Sequence, residues 1–273
     1  MEPFKKFFPF GAVLSVAVFL LAGCWWSDNE DQTTPRQGHL LDNNTLALWR
    51  LNETSASDNA ADATGSYPLI QFGSPDVVSG QIGNGRRTDG STKFFQKQGD
   101  AALGTALNGD WTFEGWVYLD NTFGSQGILF IYNGLDFSIF PSDVILAEVG
   151  VLGTRKVYVH QWHNTGSYDE ITTTGTLDTA KFHHVAVTRT AEGGNNFTYR
   201  FYIDGVLDNT TATVPGTDSP VAGGSHYIGL GCYTGDTGYG AGGAVFNGRL
   251  DDVRISKVAR SGAEILSSYN RGK

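Results

Sequence analysis

From Thr45 onward the chain alternates apolar and polar positions over short runs that break at Gly, Asn and Asp. In Trp111–Leu119, Trp111, Phe113, Val117 and Leu119 share one face of a strand, because successive side chains point to opposite sides. Thr112, Glu114, Trp116 and Tyr118 share the other. The same alternation predicts strands over 46–51, 127–132, 156–163, 182–189, 197–203, 226–231 and 249–255. In 156–162 Val157 and Val159 face the core, and Tyr158, His160 and Trp162 face away. Asp204-Gly205 lies between two such runs and predicts a hairpin, because Gly supplies the positive φ of a tight turn. A helical pattern is predicted near the end, where Ser261 and Glu264 form a Ser-x-x-Glu capping box ahead of Ile265, Leu266 and Tyr269. Many short strands and one closing helix predict an all-β fold, a two-sheet antiparallel sandwich or jelly roll.

The 36 glycines in 273 residues are roughly twice the usual ~7% and sit between the strand-like runs, so they are turns. A formal charge of −9 argues against nucleic acid and against electrostatic docking on anionic lipid. It suits a calcium ligand set. Cys232 reads as a small buried hydrophobe, the commoner role of a lone cysteine.

The first residues follow a different pattern. Lys5 and Lys6 precede an apolar run to Ala22, which is shorter than the about 20 residues of a membrane span. Such a run is a secretion signal and no part of the fold. It ends in Leu21-Ala22-Gly23-Cys24, which resembles the lipobox of bacterial lipoproteins. That resemblance implies cleavage before Cys24, lipid on its thiol, and a place in the bacterial cell envelope. Trp25, where Asp would retain a lipoprotein at the inner membrane, points to the outer membrane. Residues 1–23 are then the signal peptide, 24–44 the lipidated cysteine with a polar, flexible tether, and 45–273 the folded domain.

Six blocks in order carry a second resemblance. They are Trp49–Glu53, Asp62–Gly65, Trp111–Val117, Phe182–Thr188, Phe201–Gly205 and Gly248–Ile255, with the closing helix after them. The chain is similar to the bacterial LamG-like jelly roll of the concanavalin A-like lectin/glucanase superfamily. The resemblance implies two sheets, one curved over the other, with the chain ends in adjacent strands. It also implies a structural Ca²⁺ where the N-terminal motif meets the last strand, at Glu53, Asp62 and Asp251, with Asn52 and Asp252 beside them. Calcium takes six to eight oxygens, and these positions offer carboxylates. The fold itself fixes no function.

Three further groups carry possible chemistry. Glu114, Trp116, Tyr118, Tyr158, His160 and Trp162 could form an aromatic, carboxylate-bearing face for a sugar, or could be packing beneath loops. Tyr233 and Tyr239, on the Gly-rich loop 231–240, could form a ligand rim. The histidines show no zinc signature: His160 and His163 fall on opposite faces of a strand, as do His183 and His184. The glucanase branch would require a Glu-x-Asp-x-x-Glu strand, and the chain contains none. The expectation is a membrane-anchored, non-catalytic, lectin-like domain whose partner is a glycan or a surface or matrix protein. The alternatives are a glycan-active hydrolase or lyase, and an envelope spacer.

Overall fold

The computed structural model describes residues 35–121, 126–133, 145–162, 168–211, 213–215, 226–232 and 244–273. Cys24 and residues 1–23, read as a signal peptide from the sequence, lie outside them, as do Tyr233 and Tyr239. The first strands are β1 (Thr45–Trp49), β2 (Ile70–Phe72), β3 (Asp76–Ser79), β4 (Asn84–Asp89) and β5 (Phe94–Asp100), followed by helix α1 (Ala101–Ala106). Then come β6 (Trp111–Leu119), β7 (Gln126–Asn133), β8 (Ile145–Val151), β9 (Val157–Trp162) and β10 (Tyr168–Thr172). The chain continues through β11 (Phe182–Gly193), β12 (Asn196–Ile203), β13 (Val206–Thr210), β14 (Val214–Pro215), β15 (His226–Leu230) and β16 (Asn247–Ser256). It closes with α2 (Gly262–Gly272). Among the described residues no helix is long and apolar enough to cross a membrane.

The strands make two antiparallel sheets. Sheet 1 has the order β13-β12-β11-β6-β16-β4-β3, with β1 added on β16 and β14 on β12; sheet 2 has the order β10-β9-β8-β7-β15-β5-β2. The core lies between them. Phe113, Val117, Val185, Val187, Phe201 and Val253 from sheet 1 meet Phe95, Leu129, Val149, Val157, Val159 and Ile228 from sheet 2 in one buried cluster. The period-2 reading of β6 and β9 holds, and β1 against β16 brings the first and last strands side by side. Asp204 and Gly205 both have positive φ (52° and 76°), as the turn between β12 and β13 demands. Ser261 and Glu264 form the capping box of α2.

Two features depart from the sequence reading. A six-residue helix, α1, stands in the middle of the chain, capped by Asp100, which accepts from the amide of Ala102. The folded domain starts earlier than 45. The segment 36–42 is held as a strap: Gln37 N donates to Arg271 O at 2.7 Å, and Arg254 Nη1 donates to Leu40 O at 2.8 Å. Arg50 Nη2 donates to His39 O at 3.0 Å, and Arg260 pairs with Asp42 at 2.9 Å. Polar composition suggested a flexible tether, but three of these four partners, Arg254, Arg260 and Arg271, lie more than 200 residues away and leave no local pattern.

The strand β16 carries a bulge. Its register against β6 shifts between Asp251 and Arg254, with Asp252 at φ 45°. The extra residue frees Asp252 to reach the strap while Leu250 and Val253 both keep their places in the core. Asp251 Oδ2 accepts from Ile82 N at 2.7 Å, but its Oδ1 is buried without a hydrogen-bond partner. Burial, aided by repulsion from Asp252, pushes the Asp251 carboxyl up to about 8 against that backbone hydrogen bond. Its pKa in the unfolded chain is near 3.8. The folded state therefore holds the proton more tightly, and this contribution is complete below the unfolded value and lost as pH rises through about 8. We predict that stability in urea declines between pH 5 and 8 by up to about 1.4 kcal/mol per unit from this group. Asp251→Asn should flatten that decline and gain most at the alkaline end. An identical slope in the variant would contradict the assignment.

Candidate functional site

The sandwich separates residues that the alternation pattern had placed on one face. β6 belongs to sheet 1 and β9 to sheet 2, and both turn their valines into the same core. Their alternate residues therefore point out on opposite sides of the molecule. Glu114, Trp116 and Tyr118 cannot share a surface with Tyr158 and His160.

On sheet 2 three strands bring a row of polar and aromatic groups together. β10 pairs with β9 so that Glu170 lies opposite His160 and Thr172 opposite Tyr158. β8 pairs with β9 so that Val149 lies opposite Val159, which places Glu148 alongside His160. His160 Nδ1 is 2.8 Å from Glu148 Oε1, and His160 Nε2 is 3.3 Å from Glu170 Oε2. Tyr158 Oη donates to Glu148 at 3.4 Å. The rings of Tyr158, His160 and Tyr168 form a ladder with centroids 4.4 and 4.1 Å apart and planes inclined by 33° and 30°. Exposure grades along it: Tyr158 is buried, and Tyr168 is 46% exposed. Glu148 is buried and Glu170 exposed. Of the sequence candidates, this ladder gathers Tyr158 and His160. Tyr168, Glu148 and Glu170 were missed, since β8 and β10 carry no clear period-2 pattern in the sequence. The side chain of Trp162 lies outside the described residues.

The outer face of sheet 1 is covered around Glu114 and Trp116. Trp116 is 2% exposed beneath α2, its ring centroid 5.8 Å from that of Tyr269. Gly272 closes the contact, because a Cβ there would stand 2.7 Å from Trp116 Cζ2. Tyr118 is half-buried against Phe182 and Arg249. Of the two readings of these residues, packing beneath covering segments is the one that holds for Glu114 and Trp116.

Glu114 is fully buried. Its Oε1 accepts from Arg254, with Nε at 3.1 Å, and lies 3.4 Å from Arg260 Nε. Its Oε2 has no hydrogen-bond partner. That oxygen stands 3.6 Å from His39 Nε2 and 3.7 Å from His184 Nε2, and the two imidazole nitrogens are 3.2 Å apart. Burial would raise the Glu114 carboxyl, but His39, Arg254 and His184 outweigh it and hold it below the ordinary carboxylate range. Burial, with His39 adding to it, pushes His184 down to about 3, so its ring is neutral. Among the described residues these three form the one cluster of metal-type side chains with converging ligand atoms. The sequence offered no signal for it, because His39 and His184 are 145 positions apart and His39 was assigned to the tether.

Among the described residues, Glu53, Asp62 and Asp251, the residues expected to hold calcium, form no group of converging ligand atoms. Asp62 accepts from the amides of Leu48, Thr64, Ser66 and Tyr67, which makes it the hub of its own turn. Glu53 accepts from Ala61 N and pairs with buried Arg86 at 3.4 Å. Asp251 is held by Ile82. Cys232 is buried among Phe94, Val245 and Phe72, and burial pushes its thiol up to about 12, so it is an inert packing group.

Comparison with known proteins agrees with this architecture. Curated proteins include no match to the chain. Among solved structures, the chain superposes on a Trypanosoma rangeli sialidase with a TM-score of 0.56 and 14% identity, over 84% of this chain and 33% of that one. Domain 4 of AbnA, a GH43 extracellular arabinanase from Geobacillus stearothermophilus in complex with arabinotriose, gives 0.55 and 15%, over 83% of this chain and 98% of that domain. The receptor binding domain of botulinum neurotoxin C/D mosaic serotype gives 0.57 and 14%, over 84% of this chain and 52% of that one. The chain thus spans about a third of the sialidase and about half of the toxin domain, and at these identities the likeness is one of fold. The family model described as "Concanavalin A-like lectin/glucanases superfamily" matches residues 89–266, from the end of β4 into α2, and the chain belongs to that superfamily.

Proposed function

We propose that this protein is a lipid-anchored envelope protein whose jelly roll binds a neutral glycan on the outer face of sheet 2, without catalysis. The observation that carries the reading is the ladder Tyr158–His160–Tyr168 bracketed by Glu148 and Glu170. Flat rings stack on the C–H faces of sugars, and carboxylates accept from their hydroxyls. Tyr168 supplies an exposed ring and Glu170 an exposed carboxylate at one end of the ladder. Two carboxylates flanking the ladder in a chain of charge −9 disfavour an anionic sugar. The fold relative bound to arabinotriose supports a sugar ligand for this architecture.

The same geometry weighs against hydrolysis. A glycosidase needs its two carboxylates on either side of the scissile bond, with substrate or water between them. Here the imidazole of His160 fills the gap between Glu148 and Glu170. The pair reads as a positioned hydrogen-bonding row.

Titration of the purified protein with arabinotriose and with sialyllactose, as neutral and anionic probes, tests the reading. We predict binding of the neutral sugar with no new reducing ends, and a loss of about tenfold in affinity, or 1.4 kcal/mol, in Tyr168→Ala. Glu170→Gln should weaken binding less. Preference for the sialylated probe, unchanged affinity in Tyr168→Ala, or release of cleaved sugar would each overturn it.

The anchor is tested apart from the ligand. The wild type should fractionate with the outer membrane and incorporate labelled palmitate, and Cys24→Ser should do neither. Membrane-bound, labelled Cys24→Ser protein would refute lipidation at that residue.

A further inference from the structure

We propose that His39, Glu114 and His184 form a buried divalent transition-metal site, of the kind that suits Zn²⁺, which clamps the N-terminal strap onto sheet 1. One carboxylate oxygen of the cluster is unpaired. Glu114 Oε2 is buried, carries charge, and makes no hydrogen bond. Its twin Oε1 is already committed to Arg254 and Arg260. A buried carboxylate oxygen without a partner is costly enough that it calls for a specific occupant.

The neighbours of Oε2 are two imidazole nitrogens, and one proton between the rings, on either nitrogen, is spent on the 3.2 Å pair and leaves Oε2, at 3.6 and 3.7 Å, beyond hydrogen-bond reach. Asp252 Oδ2 sits 2.8 Å from His39 Nδ1, off-line for a well-directed hydrogen bond but close enough for the carboxylate to favour a proton there. His39 Nε2 then presents a lone pair toward His184 Nε2, 3.2 Å away. If His184 Nε2 carries a proton, it donates to His39 and leaves Glu114 Oε2 as it was. If His39 Nε2 carries the proton instead, it donates to His184 and Oε2 is again unserved; if neither ring carries one there, three acceptors converge with nothing between them.

A cation resolves the conflict, and the spacing fits one. The three ligand atoms form a triangle with sides of 3.2, 3.6 and 3.7 Å. The point equidistant from them lies about 2.0 Å from each, which is the Zn–N and Zn–O bond length, whereas calcium needs 2.3–2.6 Å and more oxygens. Two imidazoles and one carboxylate are also a borderline ligand set that favours zinc over calcium. Asp252, 2.8 Å from His39 Nδ1, stands where the carboxylate of a carboxylate–histidine–metal relay stands and would bias the ring toward presenting Nε2 to the ion. Asp252 is itself held by Arg50 at 2.8 Å. The ion serves Nε2 of each ring; the two Nδ1 atoms are buried without a hydrogen-bond partner, that of His39 beside Asp252.

The three ligands come from three segments: His39 from the strap, Glu114 from β6 and His184 from β11. All are at most 2% exposed, so the site has a structural role. Its loss would free residues 36–42 before it disturbed the sandwich core. The inference does not depend on the glycan reading of sheet 2.

The test uses untagged full-length protein and the metal ions alone. We expect about one zinc per chain as purified. After stripping with dipicolinate, Zn²⁺ should raise the melting temperature and Ca²⁺ should not, and Co²⁺ should show the intense visible d–d bands of a low-coordinate site. His39→Gln removes a ligand from the strap, where folding of the core is least at risk, and should abolish the Zn²⁺-dependent shift and the Co²⁺ bands. Asp252→Asn should weaken Zn²⁺ binding about 10–100-fold and keep the bands. A stripped protein indifferent to Zn²⁺ with the pale spectrum of aqueous Co²⁺, or equal binding by His39→Gln, would overturn the proposal and leave a hydrogen-bonded histidine pair.

Discussion

Glu114 is a carboxylate with no access to water, and much of one side of the molecule is arranged around that fact. Moving a carboxylate into the interior costs several kcal/mol unless partners replace its hydration. The partners come from far along the chain: Arg254 on β16, Arg260 at the entry to α2, His184 on β11 and His39 on the strap. Each one brings its segment with it. Arg254 also holds the strap through Leu40 O and reaches Ser268 of α2, so one guanidinium joins strand, strap and helix. Removing either member of such a buried pair typically costs about 3–5 kcal/mol, because the other charge is left stranded.

With that side sealed, the two outer faces of the sandwich differ in kind. Around Glu114 and Trp116 the outer face of sheet 1 is a second, polar core, with α2 over Trp116 and the strap at Glu114 through His39. The outer face of sheet 2 carries its polar groups in a graded row, buried at Glu148 and Tyr158 and exposed at Tyr168 and Glu170. A buried end fixes the geometry of an exposed end, which is what a preorganised sugar platform requires. The His160 imidazole serves as the rigid spacer between the two glutamates.

The sandwich was legible in the sequence because its signal is local. Period-2 alternation placed Phe113, Val117, Val157 and Val159 in the core correctly, and Asp204-Gly205 and the Ser261/Glu264 box announced a hairpin and a helix through their own backbone chemistry. The site was only partly legible. Alternation says that Trp116 and Tyr158 both face away from the core, but not that they lie on opposite sides of it, because sheet membership is decided by pairing across the whole chain. His39 sat in a polar stretch that resembled linker, and its partners Asp252 and His184 lie 213 and 145 residues on. The calcium expectation rested on carboxylates adjacent in motif order, whereas Asp62 and Glu53 are each absorbed by nearby backbone amides and Arg86.

We propose a division of labour between a face covered at Glu114 and Trp116 and a glycan-binding face on sheet 2. A chemical-shift map of the isotopically labelled protein during titration with a neutral oligosaccharide tests it most directly. The account predicts perturbations centred on His160, Tyr168 and Glu170 of β9 and β10, with Trp116, Tyr269 and the rest of α2 unmoved. Perturbations centred on Trp116 and α2, with β10 silent, would contradict it.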